Sequence, residues 1–210
     1  MSVSPARRAS AVYLLRHGRT ASNASGTWQG QADVPLDEVG VVEAERTAAV
    51  LAALAPPPSR IVSSDLSRAR ATAQALGRAV DVEVETDERL REVFAGTWEG
   101  LTRTEIEERW PEELEAWKAG EDLRIGGGER ISEAGARFAT AFREHAAGTD
   151  GVLVLVSHGG ALRSAVEQVV GVPNRVLGRL RNAHWAVLVP SPSDDDGWLL
   201  EAWNAGPDPL

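Results

Sequence analysis

The 210-residue chain has no cysteine, one methionine and one tyrosine, and its 22 basic residues include a single lysine, Lys118. Without thiols there are no disulfides, thiolate metal sites, iron–sulfur clusters or cysteine nucleophiles. With lysine all but missing, an anion site has to be built from arginine, whose planar fork holds oxyanions through paired hydrogen bonds. No apolar run approaches the roughly 18 residues of a membrane helix. Thirty-one acidic residues give a net charge of −9, which argues against nucleic acid or a membrane surface as partner. The lack of cysteine fits a reducing compartment, so a cytoplasmic location is expected. Arg7-Arg8 is followed only by the short apolar stretch Ala11 to Leu15, too short for the core of an export signal. Residues 1–10 read as a flexible lead and residues 11–210 as one domain.

An apolar fraction of 43% is enough for a sizeable core. Two segments resemble each other: Val12 to Gly18, and Val152 to Gly160. Each is a short β-rich apolar run closed by glycine and followed by a helical pattern, as in a buried parallel strand feeding a helix. Each sets a histidine, His17 or His158, at a strand's carboxyl end, the end at which open α/β sheets bind ligands. Helices are predicted from about Val41 to Leu54, after Ser64 as cap, around Phe138 and Phe142, and after His158. Short strands are predicted at Ile61-Val62 and Val82 to Val84, and a closing pair at Trp185 to Val189 and Trp198 to Trp203. The expected fold is therefore α/β, a three-layer sandwich with a mostly parallel central sheet and helices on both faces. The Trp- and Glu-rich residues 98–128 read as a small helical cap inserted into it.

A metal centre would have to come from four histidines (17, 145, 158 and 184) and carboxylates, and no close pair or His-Glu-x-x-His spacing supports one. No metal or cofactor is expected, and neither a phosphate-binding loop ending in Lys-Ser/Thr nor a dinucleotide fingerprint is present. Arg16-His17-Gly18-Arg19-Thr20-Ala21-Ser22-Asn23 stands out. A neutral imidazole is a competent nucleophile at phosphorus, and an adjacent arginine can neutralise the non-bridging oxygens. Gly18 would let a ligand approach the backbone, and a helix opening near Arg19 would add free amides. A strand-end histidine with a purely structural role is the alternative reading.

The pattern R-H-G-x-T-x-x-N, with a second strand ending in H-G, resembles the histidine phosphatase superfamily, the phosphoglycerate-mutase-like proteins, over nearly the whole chain. The resemblance implies a phosphohistidine intermediate on His17, with Arg16 in the phosphate pocket. It implies a second arginine from Ser63-Ser64-Asp65-Leu66-Ser67-Arg68-Ala69, which points to Arg68 rather than Arg70. The proton donor is implied to be Glu92, within Leu90-Arg91-Glu92-Val93-Phe94-Ala95-Gly96, with Glu99 as its rival. His158 is implied to donate a hydrogen bond to the transferring phosphoryl oxygens, while Asn23, Gln29, Gly30 and Gly159 line the phosphate and substrate loop. His145 and His184 are given structural roles. Trp28 and Trp98 are expected to shape a substrate wall, and Trp110, Trp117, Trp185, Trp198 and Trp203 to pack.

The family's mutases carry Glu-Arg-His-Tyr-Gly after the acid; this chain has Glu92-Val93-Phe94-Ala95-Gly96 and Trp28-Gln29-Gly30-Gln31, more similar to the phosphatase branch. The expected activity is a metal-independent phosphomonoesterase acting on a small phosphate ester. Mutase-type transfer and a non-catalytic phosphate-binding role are the alternatives. The exposed cap and Trp-rich closing strands are compatible with a homodimer.

Overall fold

The structure, a computed structural model, describes residues 8–194 and 196–207. Six strands form one sheet in the order β3-β2-β4-β1-β5-β6. These are β1 (Ala9–Arg16), β2 (Pro58–Ser63), β3 (Val84–Thr86), β4 (Gly151–Ser157), β5 (Trp185–Pro190) and β6 (Trp198–Ala205). The pairs β2/β3, β2/β4 and β1/β4 are parallel, while β5 pairs antiparallel with both β1 and β6.

Alternation along β1 and β4 divides the core into two layers. Val12, Leu14, Leu153 and Leu155 join Phe138, Phe142, Leu162 and Ala165 on one face. There α6 (Ile131–Ala147) packs on α7 (Gly159–Val170). Leu15, Val154 and Val156 join Ala44, Leu51, Ala69 and Leu76 on the other, covered by α2 (Glu38–Ala52) and α3 (Ser67–Val80). Strands buried on both faces read as continuous apolar runs, which is why both histidine strands stand out in the sequence. A third apolar cluster, including Trp98, Ile106, Leu114 and Ile125, belongs to the cap. The cap helices are α4 (Arg103–Arg109) and α5 (Pro111–Ala119). Among the described residues no helix is long and apolar enough to cross a membrane.

Several boundaries differ from expectation for local reasons. Ala9 and Ser10 belong to β1, and Ala9 is fully buried; residues 1–7 of the expected lead lie outside the described residues, as do Asp195 and residues 208–210. α2 starts at Glu38, before Val41, because the Asp37 carboxylate accepts from the Gly40 amide at 2.8 Å and caps the first turn. Ser64 does not cap α3: its N-cap is Leu66, without a side-chain bond, and the Ser64 hydroxyl accepts from the Leu66 amide in the preceding turn. The helix expected to open near Arg19 is a single turn, α1 (Ala21–Ser25), which follows its N-cap Thr20.

Gly18 serves packing rather than ligand approach. A Cβ on it would lie 2.4 Å from the Gly40 carbonyl oxygen, and a Cβ on Gly40 would lie 2.0 Å from the Arg19 carbonyl oxygen. The strand-to-helix loop and the first turn of α2 therefore touch backbone to backbone. In an exposed helix Gly→Ala stabilises by about 1 kcal/mol, but here the overlap outweighs propensity. Gly40→Ala is expected to destabilise the fold by about 1–3 kcal/mol, read from the denaturant midpoint; a stabilised variant would show that the loop yields freely.

Candidate active site

Parallel pairing of β1 with β4 puts Arg16 opposite Ser157, and the His17 amide continues the ladder to the Ser157 carbonyl at 3.0 Å. The next residues, His17 and His158, come together with ring centroids 5.0 Å apart. Both are almost wholly buried.

Their hydrogen bonds fix opposite tautomers. His17 Nδ1 lies 2.7 Å from the Gly18 carbonyl oxygen; a carbonyl only accepts, so Nδ1 carries the proton and Nε2 keeps its lone pair. His158 Nδ1 accepts from Arg68 Nε at 3.2 Å, so its proton is on Nε2, which meets the Ser64 hydroxyl at 3.0 Å. Burial, reinforced by the Arg16 and Arg68 cations, holds His17 well below the usual histidine range. Burial and then Arg68 do the same to His158. Both rings are neutral near pH 7.

Arg68 lies in the first turn of α3, almost fully buried. Its guanidinium donates to His158, to the Ala32 carbonyl at 2.7 Å and to the Gly30 carbonyl at 2.8 Å. Arg16 donates to the Leu180 carbonyl at 2.7 Å, and its buried Nε has no partner. Burial, followed by repulsion from Arg179, lowers Arg16 to about 10, so it remains a cation at neutral pH.

Glu92 is held by backbone amides at the start of α7. Oε1 accepts from Ala161 at 2.7 Å and Val93 at 2.9 Å, and Oε2 from Gly160 at 3.0 Å. The close fit requires glycine: a Cβ on Gly160 would lie 2.8 Å from Oε1, and one on Gly159 would lie 3.3 Å from Arg16 Nε. Arg137 and Gln31 fix the same stretch by donating to the Glu92 carbonyl at 2.7 and 3.0 Å. Glu99 has another task. Its Oε1 accepts from the amides of Gln31 and Ala95 and so ties the substrate loop to the cap. At the cap of α1 the Thr20 and Asn23 side chains satisfy each other's backbone amides, so the Asn23 amide is not free for a ligand.

A cavity of about 420 Å³ opens over these groups. Of the sequence-derived residues, Arg16, His17, Asn23, Gln29, Gly30, Arg68, Glu92 and Gly159 line it. His158 stands behind His17, with both ring nitrogens engaged by Arg68 and Ser64. The hydrogen bond to a phosphoryl oxygen expected of it therefore has no free ring nitrogen in this arrangement. The aromatic wall differs too: Trp28 and Trp117 line the cavity, whereas Trp98 is buried behind Trp28 at a 5.1 Å centroid distance. His145 meets Asp87 at 2.9 Å and buried His184 meets the Asn182 carbonyl at 3.0 Å, both outside the cavity.

Sequence reasoning missed Asn182, whose amide donates to the carbonyls of His17 and Gly18 and to Asn23 Oδ1. It lies in an irregular stretch with no pattern to mark it. Arg163 and Arg179, which also line the cavity, were missed as well; Arg163 was findable as the residue four after Gly159 on the same helix face. Among the described residues no cluster of three or more His, Asp or Glu side chains is arranged to hold a metal ion.

A family model described as "Histidine phosphatase superfamily (branch 1)" matches residues 12–206. The chain is 36% identical over 213 residues to a protein of Mycolicibacterium vanbaalenii named glucosyl-3-phosphoglycerate phosphatase, covering 92% of this chain and 94% of that one. A protein of Yersinia pestis named "Probable phosphoglycerate mutase" is 34% identical over 201 residues, covering 91% of each. A mycobacterial glucosyl-3-phosphoglycerate phosphatase solved with VO3 superposes with a TM-score of 0.86 at 34% identity, covering 94% of this chain and all of that one.

The two histidines make a pH prediction. Their folded values lie below the ordinary 6.5, so below that pH the unfolded chain takes up protons that the folded chain refuses. Their contribution to stability is complete above pH 6.5 and is lost as pH falls below it. The melting temperature is expected to drop between about pH 7 and 5, and nitrogen–proton correlation spectra to show Nδ1–H on His17 and Nε2–H on His158. Titration of either ring near 6.5 would contradict the buried neutral pair.

Proposed function

The chain belongs to the histidine phosphatase superfamily, and from that we propose that it is a phosphomonoesterase working through a phosphohistidine on His17. The observation that carries the reading is the His17 Nδ1–H bond to the Gly18 carbonyl. It presents the Nε2 lone pair in a cavity that also contains Arg16 and Arg68.

In the first half-reaction His17 Nε2 attacks phosphorus, the bond to the ester oxygen breaks, and Glu92 gives its proton to the departing alkoxide. In the second, Glu92 takes a proton from water, the hydroxide attacks phosphorus, and the P–N bond breaks to release inorganic phosphate. Glu92 is protonated and His17 neutral again at the end. Arg16 and Arg68 face the charge on the phosphoryl oxygens, and the unpartnered Arg16 Nε is a ready donor to one of them. His158 acts as a positioning residue, accepting from Arg68 Nε and orienting its fork. No step calls for a metal ion.

The substrate is a small phosphorylated metabolite, and glucosyl-3-phosphoglycerate is the first to test. Two features support that choice: the names of the relatives, and the Trp28 and Trp117 wall, which offers a sugar ring an apolar face. The mutase name of the Yersinia relative makes transfer back to a bound sugar acid the competing outcome.

The test is phosphate release from a panel of esters in chelator, without bisphosphoglycerate. Release by the native chain, its loss by about 10⁴-fold or more in His17→Ala, and a base-stable label on His17 after rapid quench are expected. Sustained mutase flux with negligible release would replace hydrolysis by transfer. Gly160→Ala, which drives a methyl group against Glu92 Oε1, is expected to lower kcat by about 10–100-fold while leaving the melting temperature nearly unchanged. An unaltered kcat would remove the amide cradle from the account.

A further inference from the structure

The loop after β1 carries His17, and every backbone N–H and C=O from the His17 carbonyl to the Arg19 carbonyl has a partner. The His17 carbonyl accepts from the Ala183 amide and from Asn182 Nδ2, each at 3.1 Å. The Gly18 amide donates to the Thr72 hydroxyl at 3.1 Å, and that hydroxyl donates in turn to the Arg68 carbonyl at 2.8 Å. The Gly18 carbonyl accepts from His17 Nδ1 at 2.7 Å and from Asn182 Nδ2 at 3.2 Å. The Arg19 amide donates to Glu43 Oε2 at 2.7 Å, and the Arg19 carbonyl accepts from the Asp37 amide at 3.1 Å. Of these partners only Glu43 brings a charge.

Glu43 reaches the loop because α2 meets it backbone to backbone. A Cβ on Gly40 would lie 2.0 Å from the Arg19 carbonyl oxygen, and Glu43 follows Gly40 by three residues on the same helix face. The side chain is half-buried. Among the described residues it forms no ion pair, although Arg16, Arg46, Arg179 and Arg181 line the same cleft. Its one bonded partner is the Arg19 amide.

The Gly18 carbonyl and the Arg19 N–H belong to one peptide unit. In a trans peptide the two point in opposite directions, so carboxylate, amide, carbonyl and imidazole N–H stand in series. A negative charge at the N–H end polarises the unit and makes its oxygen a stronger acceptor. Burial, Arg16 and Arg68 all oppose positive charge on the His17 ring, and the bond to the Gly18 carbonyl is the contact that favours it.

We infer that Glu43 is a positioning residue for the nucleophile: through the Gly18–Arg19 peptide its charge strengthens the hold on Nδ1–H and stabilises the positive ring formed when Nε2 bonds to phosphorus. The inference rests on the phosphatase reading and deepens it. Nε2 gives its lone pair to phosphorus while the ester oxygen leaves with its own bonding pair. The ring keeps the Nδ1 proton and becomes a cation. When water displaces it, the P–N pair returns to Nε2 and the ring is neutral again. No proton moves to Glu43 in either step. A group that stabilises the loaded ring speeds its formation and slows its breakdown.

The experiment compares the native chain with Glu43→Gln, which keeps an acceptor of the same shape for the Arg19 amide and removes the charge. Glu45→Gln, at an exposed position paired with Arg78, removes a charge from the same helix as a control. The probe is p-nitrophenyl phosphate, whose phenolate leaves without a proton from Glu92, so that kcat/KM reads the attack by His17. Glu43→Gln is expected to lower kcat/KM about three- to tenfold, the difference between a charged and a neutral hydrogen bond. It is also expected to speed the loss of rapid-quenched label from His17 and to move the His17 Nδ1 proton resonance upfield, with the melting temperature nearly unchanged. Glu45→Gln is expected to change none of these.

Opposite effects on the two half-reactions separate this role from a structural one, since a loosened loop would slow both. They also separate it from an effect on Arg16 alone, because removing a negative charge beside that guanidinium would strengthen anion binding and raise kcat/KM. A kcat/KM unchanged or raised in Glu43→Gln, slower loss of label, an unmoved Nδ1 resonance, or the same changes in Glu45→Gln would each overturn the inference. The resonance is read in the resting protein and needs no turnover. If p-nitrophenyl phosphate is not hydrolysed in a His17-dependent way, the phosphatase reading fails first, and the resonance then decides whether the charge reaches the imidazole. If hydrolysis depends on His17 and the expected signs are missing, the role of Glu43 alone fails.

Discussion

Parallel pairing of β1 with β4 is the constraint from which the site follows. The Arg16–Ser157 register brings two chain segments, separated by more than half the sequence, together at the carboxyl ends of two central strands. A slip of one residue would turn His17 or His158 to the opposite face. The register is held by side chains as well as by the ladder, since Leu14 and Leu155 face one core layer while Leu15 and Val156 face the other. The catalytic geometry is thus an extension of the sheet's hydrophobic pattern, and the rigidity of that core is transmitted directly to the imidazoles.

Around this pair the protein places cations where burial opposes charge. Removing a guanidinium from water is costly unless hydrogen bonds replace those to solvent. Arg68 finds three acceptors, two of them carbonyls of the Gly30–Ala32 loop, and Arg16 finds one in Leu180. The orphan Arg16 Nε is the shortfall, and a phosphoryl oxygen is the group that would remove it. Burial, reinforced by the same cations, keeps the histidines neutral, so one arrangement serves both the proposed nucleophile and its oxyanion environment. Because the donors are already fixed, little reorganisation remains for the reaction step.

The fold was legible because its strands are buried on both faces and so read as apolar runs, and because punctuation by glycine and proline separates the elements. The R-H-G segment and the Ser-Ser-x-Leu-x-Arg segment marked residues that the structure gathers around one cavity. What could not be read depends on contacts distant in sequence. The adjacency of β1 and β4 lies in no local pattern, and neither do the histidine tautomers. Trp98 and Trp117 exchanged expected places because closeness to a motif does not tell which side of the cap a ring faces. Gly18 and Gly40 were interpretable only as a pair, since each is required by the backbone of the other's loop or helix. Ser64 looked like a helix cap by its position and instead met His158 from the end of the neighbouring strand.

Net charge and local charge have opposite signs in this molecule, and the residue inventory explains how both persist. Acidic side chains dominate overall, at 31 against 22, and many arginines are tied to them in exposed or half-exposed pairs such as Arg78–Glu45 and Arg124–Glu133. Such pairs contribute little stability, but they neutralise arginine far from the site. The cleft next to the active site behaves differently: Arg46, Arg179 and Arg181 join Arg16 around about 320 Å³ with Glu43 as the only acid. Two neighbouring concavities thus share Arg16 and Arg179, and field lines concentrate there because the walls have low dielectric. A small anion repelled by the net charge at long range meets attraction at this mouth. The net charge and the local field of the cleft are thus set by different residues, and the arginines around Arg16 give the cleft its positive potential.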